Sequence, residues 1–266
     1  MEARNLDPLA WFAGEDLKRL MGMGALLVCV LCAGTAGAAL IRFDNLILTA
    51  NGGFTPRILP RHSFAPIEFQ GQANLRAVDG GLPLATRQIL LDFDHDGRLS
   101  TAGLPVCDPA ALVEATPAVA RARCADAIVG RGTVAAMIAV EGGAPVMARS
   151  PLTIFNGPRQ EGHPTAILHA RTTVPATQTF VITVPIERRR GDFRYRATIE
   201  VPPIAAGRGS LTHVDGRVGR RYRFRGSERS YVSARCSDNV LRTHGRLTFV
   251  DGSIVDGTLE LGCTFR

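Results

Sequence analysis

The densest set of potential ligands in the chain is Asp92-Phe93-Asp94-His95-Asp96-Gly97-Arg98-Leu99-Ser100. It matches the opening of a calcium loop: oxygen donors at the first, third and fifth positions, glycine at the sixth for the turn, a hydrophobe at the eighth and serine at the ninth. Calcium takes six to eight oxygen ligands, and alternate carboxylates with a backbone carbonyl provide most of them. The twelfth position should carry a bidentate glutamate, and here it is Gly103. No amphipathic helix precedes the motif, because Arg87–Phe93 reads as a strand. Two readings are therefore open for Asp92, Asp94 and Asp96: a calcium site, or a hairpin turn at His95–Gly97 whose acids face solvent.

The second feature is basic. Arg220-Arg221-Tyr222-Arg223-Phe224-Arg225 alternates cation with aromatic, and Phe193-Arg194-Tyr195-Arg196 repeats the device beside Arg188, Arg189 and Arg190. On strands, Arg221, Arg223 and Arg225 point one way and Tyr222 and Phe224 the other. If the two segments pair, Arg194, Arg196, Arg221, Arg223 and Arg225 make an arginine-lined face suited to an anionic polysaccharide, cell-surface polymer or other anionic surface. The competing reading is an ordinary amphipathic strand pair with a solvated charged face. No specific nucleic-acid target is expected. The net charge is +7, and Lys18 is the only lysine among 31 basic residues. Guanidinium suits bidentate anion recognition, but so uniform an absence of lysine also fits a coding bias.

Recognisable catalytic patterns are missing. The histidines, His62, His95, His163, His169, His213 and His244, show no metal-ligand spacing. Neither a Gly-x-Ser-x-Gly elbow, nor His-Glu-x-x-His, nor a glycine-rich phosphate loop between strand and helix occurs. The leading expectation is a non-catalytic module. A secreted hydrolase with residues distant in sequence is the enzyme alternative, and a calcium-stabilised module the third. No cofactor is expected apart from that calcium.

The elements around these residues are mostly strands. With 266 residues, 45% hydrophobic and 21% charged, the chain is globular and long enough for a sizeable core. Only one apolar run could span a bilayer, which excludes a polytopic membrane protein. Lys18-Arg19, the apolar stretch Leu20–Cys32 and Ala36-Gly37-Ala38 read as a signal peptide cleaved after Ala38. Left uncleaved, Leu20–Ile41 is barely long enough for a single-span anchor. Cys29 and Cys32 sit inside this run, where thiolate chemistry is implausible. Residues 39–266 then form the exported region, as one sandwich or as two subdomains dividing near 141–151.

Cys107, Cys124, Cys236 and Cys263 remain after export, an even number that reads as disulfides with three possible connectivities. Pairing of sequence neighbours gives Cys107–Cys124 and Cys236–Cys263. A bridge of the first span is worth about 3 kcal/mol in the chain-entropy account. Zinc would want close Cys/His pairs, which the exported region lacks. Short alternating runs punctuated by Asp215-Gly216, Asp251-Gly252 and Asp256-Gly257 predict strands joined by tight turns. Asp108-Pro109 and Thr116-Pro117 each pair an N-cap residue with proline at the first helical position, predicting two short helices between Cys107 and Cys124. The fold class expected is mainly β: an antiparallel β-sandwich with a short, disulfide-clipped helical insert.

Gly103-Leu104-Pro105-Val106-Cys107, the run from Arg121 through Cys124 to Gly132, Leu59-Pro60-Arg61-His62, Phe155-Asn156-Gly157, Val201-Pro202, Cys236, and Phe249-Val250-Asp251-Gly252 through Cys263 together resemble a family of exported, β-rich bacterial proteins associated mainly with high-GC actinobacteria. The resemblance covers most of the exported region and rests on cysteines, turn glycines and prolines. It implies export, two disulfides and a β-rich fold. It transfers no catalytic residue, and it weighs against a conserved acidic ligand set ahead of the Gly-Leu-Pro segment.

Overall fold

In Thr86–Asp94, successive side chains leave opposite faces of the backbone, so Ile89, Leu91 and Phe93 form one apolar row and Gln88, Leu90 and Asp92 the other. The same alternation runs through a computed structural model that describes residues 37–265. Its twelve long strands are β1 (Gly37–Phe43), β2 (Leu46–Thr55), β3 (Glu68–Ala77), β4 (Thr86–Asp94), β5 (Ile128–Ile138), β6 (Val146–Gln160), β7 (His163–Thr172), β8 (Gln178–Arg188), β9 (Phe193–Glu200), β10 (Gly209–Val218), β11 (Val240–Phe249) and β12 (Ile254–Gly262). They form one sheet in the order β1-β2-β3-β10-β5-β6-β7-β8-β9-β4-β11-β12. Every ladder between neighbours in it is antiparallel. The expected β-rich, antiparallel architecture is present.

Strands β5 to β9 follow one another as a meander, and Glu141–Pro145 falls in the turn of the β5–β6 hairpin. Two long-range insertions complete the order: β10 slots between β3 and β5, and β4 between β9 and β11. The ends of the order, β1 and β12, lie against each other. Leu46, Leu48, Leu75, Phe249 and Val255 make one buried cluster there, with Ile41 and Phe43 packed on it. The two ends of the sheet thus meet around an apolar cluster.

A row of glycines crosses five of the strands. Gly37, Gly52, Gly71, Gly216 and Gly132 stand in register across β1, β2, β3, β10 and β5. The tightest approach in the row is at Gly132, whose added Cβ would fall on the Asp215 backbone carbonyl, whereas one on Gly216 would make an ordinary contact with Ile154 at 3.8 Å. This corrects two turn expectations. Asp215-Gly216 and Asp256-Gly257 lie inside β10 and β12, whereas Asp251-Gly252 does turn the chain, with Gly252 at φ 87°. Gly216 pairs with Gly132 inside the ladder and does not take a left-handed backbone.

Both disulfides join the expected neighbours, Cys107–Cys124 with 5.5 Å and Cys236–Cys263 with 6.1 Å between Cα atoms. Between the first pair, Thr116 caps helix α1 (Pro117–Arg123) by accepting the Val119 N–H at 3.3 Å. Asp108 also accepts an N–H, from Ala110 at 3.0 Å, but Pro109–Leu112 forms only a single 3₁₀ turn. Thr116-Pro117 follows too closely, and the residue before a proline is pushed out of the helical region. Leu112, Ala115 and Ala120 pack on Phe155 of β6 and Ile167 of β7.

The leader expectation falls on residues 1–36, outside those described. A cut after Ala38 would leave β1 from Ala39 onward. Among the described residues, no helix is long and apolar enough to cross a membrane. Two disulfides mark a chain that folds where thiols are oxidised.

Candidate functional site

The three aspartates occupy the end of β4 and the turn after it, and all are buried: Asp92 and Asp94 are each 4% exposed and Asp96 0%. They do not face solvent, as a plain hairpin turn would have them. Asp92 lies directly opposite Arg196 on β9. The guanidinium donates from Nε to Oδ1 and from Nη2 to Oδ2, each at 2.7 Å. Asp94 accepts the Asp96 N–H on Oδ1 and the Arg242 N–H on Oδ2, both at 2.8 Å. Asp96 accepts Nε of Arg235 at 2.6 Å and the Ser237 N–H at 2.8 Å.

The two environments push the carboxyls apart. Burial raises Asp94 above the ordinary carboxylate range, and its backbone hydrogen bonds only partly offset that. Burial opposes the charge on Asp96 too, but hydrogen bonds from Ser237 and Arg235 outweigh it and hold the group below the ordinary range. His95 bridges the pair, with Nδ1 3.1 Å from Asp94 and Nε2 3.4 Å from Asp96. One ligand atom from each of Asp94, His95 and Asp96 could be gathered within 4.8 Å. Yet all six aspartate oxygens already accept an N–H, three of them from the guanidinium groups of Arg196 and Arg235. A calcium ion would have to displace those donors, and Gly103 brings no carboxylate. The donor set fits arginine and amide, and the motif works as a clasp holding β4 to β9, to β11 and to the segment around Cys236.

The arginine segments part company. Phe193–Glu200 pairs with β8 and β4, while Arg221–Phe224 forms a separate hairpin with Ser227–Ser230. The single face expected from their pairing is not formed, because β9 already has a ladder on each edge. The alternation within the hairpin is as expected: Arg221 and Arg223 are exposed, and Tyr222 and Phe224 are half-buried. Phe224 covers Gly103, and the Tyr222 hydroxyl donates to Ala102 O at 3.0 Å. Arg225 sits in the hairpin turn at φ 51°, its guanidinium 5.2 Å from the Phe224 ring. Arg196 is committed to Asp92. Arg194 instead joins Arg98 and Arg235 around Phe64, their guanidinium carbons 5.3, 5.6 and 5.4 Å from the ring centre. Sequence order conceals this cluster, since its four residues lie on four separate segments.

Two histidines have defined partners. His169 is fully buried on β7, its Nε2 donating to Ala115 O at 3.0 Å. Burial pushes it below the usual imidazole range. On β10, His213 lies between Asn74 (2.7 Å) and Asp215 (3.0 Å), and the Thr133 hydroxyl also donates to Asp215. Burial opposes the Asp215 charge, but Thr133 and His213 outweigh it and hold the carboxyl below its ordinary range.

The interior holds the larger feature. One cavity of about 120 Å³ is lined by Ile89, Ala136, Leu152, Phe180 and other mostly aliphatic residues. A second, about 220 Å³, is lined by Phe69, Leu91, Phe93, Val184, Tyr195 and Tyr231 among others. Leu168 and Ile199 line both. Phe69 and Phe93 meet edge to face with centroids 5.8 Å apart. The second cavity's polar residues include Asp94, Arg98 and Arg242. No histidine or cysteine lines either cavity among the described residues. Sequence reasoning missed this site because each lining residue is an ordinary inward member of an alternating strand; the void arises only where strands far apart in sequence face one another. Comparison with protein families, with curated proteins and with solved structures finds no match for the chain.

Proposed function

We propose that this chain is an exported, non-catalytic binding module whose curled sheet acts as a near-closed barrel and holds one apolar chain in its interior. The observation that carries the reading is the pair of adjoining cavities, lined almost wholly by aliphatic and aromatic side chains. Interiors normally pack to the density of organic crystals, with few voids larger than a water molecule. Empty apolar space forfeits dispersion contacts, and an apolar ligand restores them. The volumes are below the range of roughly 300–1,000 Å³ usual for drug-sized ligands, so a single narrow alkyl chain is the occupant we assign. Export rests on the leader pattern together with the two disulfides.

The test uses N-phenyl-1-naphthylamine, a neutral probe that brightens in apolar surroundings. The wild-type protein should enhance its emission, and decane should reverse the enhancement. Ala197 lines the larger cavity, so Ala197→Phe should fold, by circular dichroism, and lose the signal. Emission unaffected by both decane and Ala197→Phe would remove the reading.

A second reading, recognition of an anionic polymer, is favoured by Arg98 and Arg194 gathered with Arg235 at Phe64 and by exposed Arg221 and Arg223. It requires heparin retention that weakens with salt and drops in the Arg221→Ser/Arg223→Ser double variant.

A further inference from the structure

Four buried side-chain polar atoms lack a hydrogen-bond partner among the described residues: Thr86 Oγ1, Asn156 Oδ1, His169 Nδ1 and the Tyr231 hydroxyl. Only Tyr231 lines a cavity. Its side chain is 2% exposed and belongs to the same buried cluster as Leu104, Val129, Ile154 and Ala166. Packing alone would be met by phenylalanine. The hydroxyl gives up its water on burial and regains nothing from the protein, a loss that a buried polar group normally avoids.

The charged residues around the cavity and Ser233 are engaged elsewhere, with the Arg98 guanidinium on the Phe64 ring. Asp94 accepts from Asp96 and Arg242, Arg242 pairs with Asp238 at 2.9 Å, and the Ser233 hydroxyl donates to Arg98 O. Of the buried side-chain atoms left without a partner among the described residues, the Tyr231 hydroxyl is the one whose residue lines a cavity. Its burial pushes the phenol well above the ordinary tyrosine range, so it stays protonated and donates.

We infer that Tyr231 is the polar anchor of the ligand site, donating one hydrogen bond to an uncharged oxygen of a chain-like apolar ligand, such as a ketone or ester carbonyl. The inference rests on the proposed apolar-chain reading of the interior. It narrows that reading from any alkyl chain to one with a neutral acceptor oxygen. A carboxylate is disfavoured, because it would leave water for a cavity whose arginines are turned to other partners. An acceptor-free alkane fits the space but leaves the hydroxyl unpaired.

The experiment is displacement of N-phenyl-1-naphthylamine from the purified, disulfide-bonded protein by decane, by 2-, 4- and 5-decanone, and by decanoate. At least one decanone should displace the probe at a concentration about fivefold lower than decane does, the value of one neutral hydrogen bond. Decanoate should be weaker than that ketone. Tyr231→Phe should remove the ketone's advantage over decane and should not lower resistance to urea. A ketone-to-alkane ratio that is the same in the wild type and in Tyr231→Phe would assign the hydroxyl to internal water and overturn the anchor, with the apolar-chain reading intact. If neither decane nor any decanone displaces the probe from the wild type, the apolar-chain reading falls and the anchor falls with it.

Discussion

Asp92 and Arg196 face each other across β4 and β9 and share two parallel hydrogen bonds of 2.7 Å. Asp92 is 4% exposed, so its charge has Arg196 as its compensation in place of water. Removing the arginine alone strands that carboxylate. Arg196→Met should cost about 3 kcal/mol, the scale for breaking a buried pair from one side. Asp92→Leu combined with Arg196→Met should recover most of it, since two apolar residues need no compensation. Urea unfolding of the two single and the double variants measures the coupling.

The clasp also bears on calcium. With all six oxygens of Asp92, Asp94 and Asp96 accepting N–H groups, millimolar calcium should leave the unfolding midpoint unmoved and give no binding heat. A rise in midpoint that disappears in Asp94→Asn would show that the turn opens to take the ion.

His169 makes stability depend on pH. Its folded value is lowered by burial, so the unfolded chain takes up a proton at a pH where the folded chain does not. The stabilising contribution is complete above the ordinary imidazole value of about 6.5. It is lost as pH falls from there toward the lowered folded value. Urea midpoints should therefore decline on acidification from pH 7.5 to 5.5, and the decline should flatten in His169→Gln, which does not titrate. The carboxylates whose values are held low, Asp96 and Asp215, act below that window: their contribution is present above the unfolded value and lost as pH falls through the folded one.

The glycine row yields a graded test. A Cβ on Gly132 would fall on the Asp215 backbone carbonyl, whereas one on Gly71 would lie 3.8 Å from the Phe69 ring. Backbone at that position cannot swing aside as a side chain can. Gly132→Ala should cost more than about 3 kcal/mol, and Gly71→Ala less than about 1 kcal/mol. Thermal melts of the two variants compare them directly, and equal losses would contradict the close approach of β5 and β10.

Elements whose causes are local were legible in the residues alone. Alternation produced the strands around Phe93, Ile182 and Tyr195, and Thr116 with Pro117 started the helix. The spacing of four cysteines allowed the neighbour pairing that the fold adopts. Whatever depends on strands far apart in sequence emerges only once they have paired. Nothing near Arg98, Arg194 or Arg235 signals that they converge on Phe64. Asp215-Gly216 reads as a turn until β10 is seen wedged between β3 and β5. The partners of Asp92, Asp94 and Asp96 are likewise set by the ladders to β9 and β11. The cavity beside Tyr231 is the extreme case, for a void is a property of the residues that fail to meet across it, and no local pattern records how far apart two walls will stand.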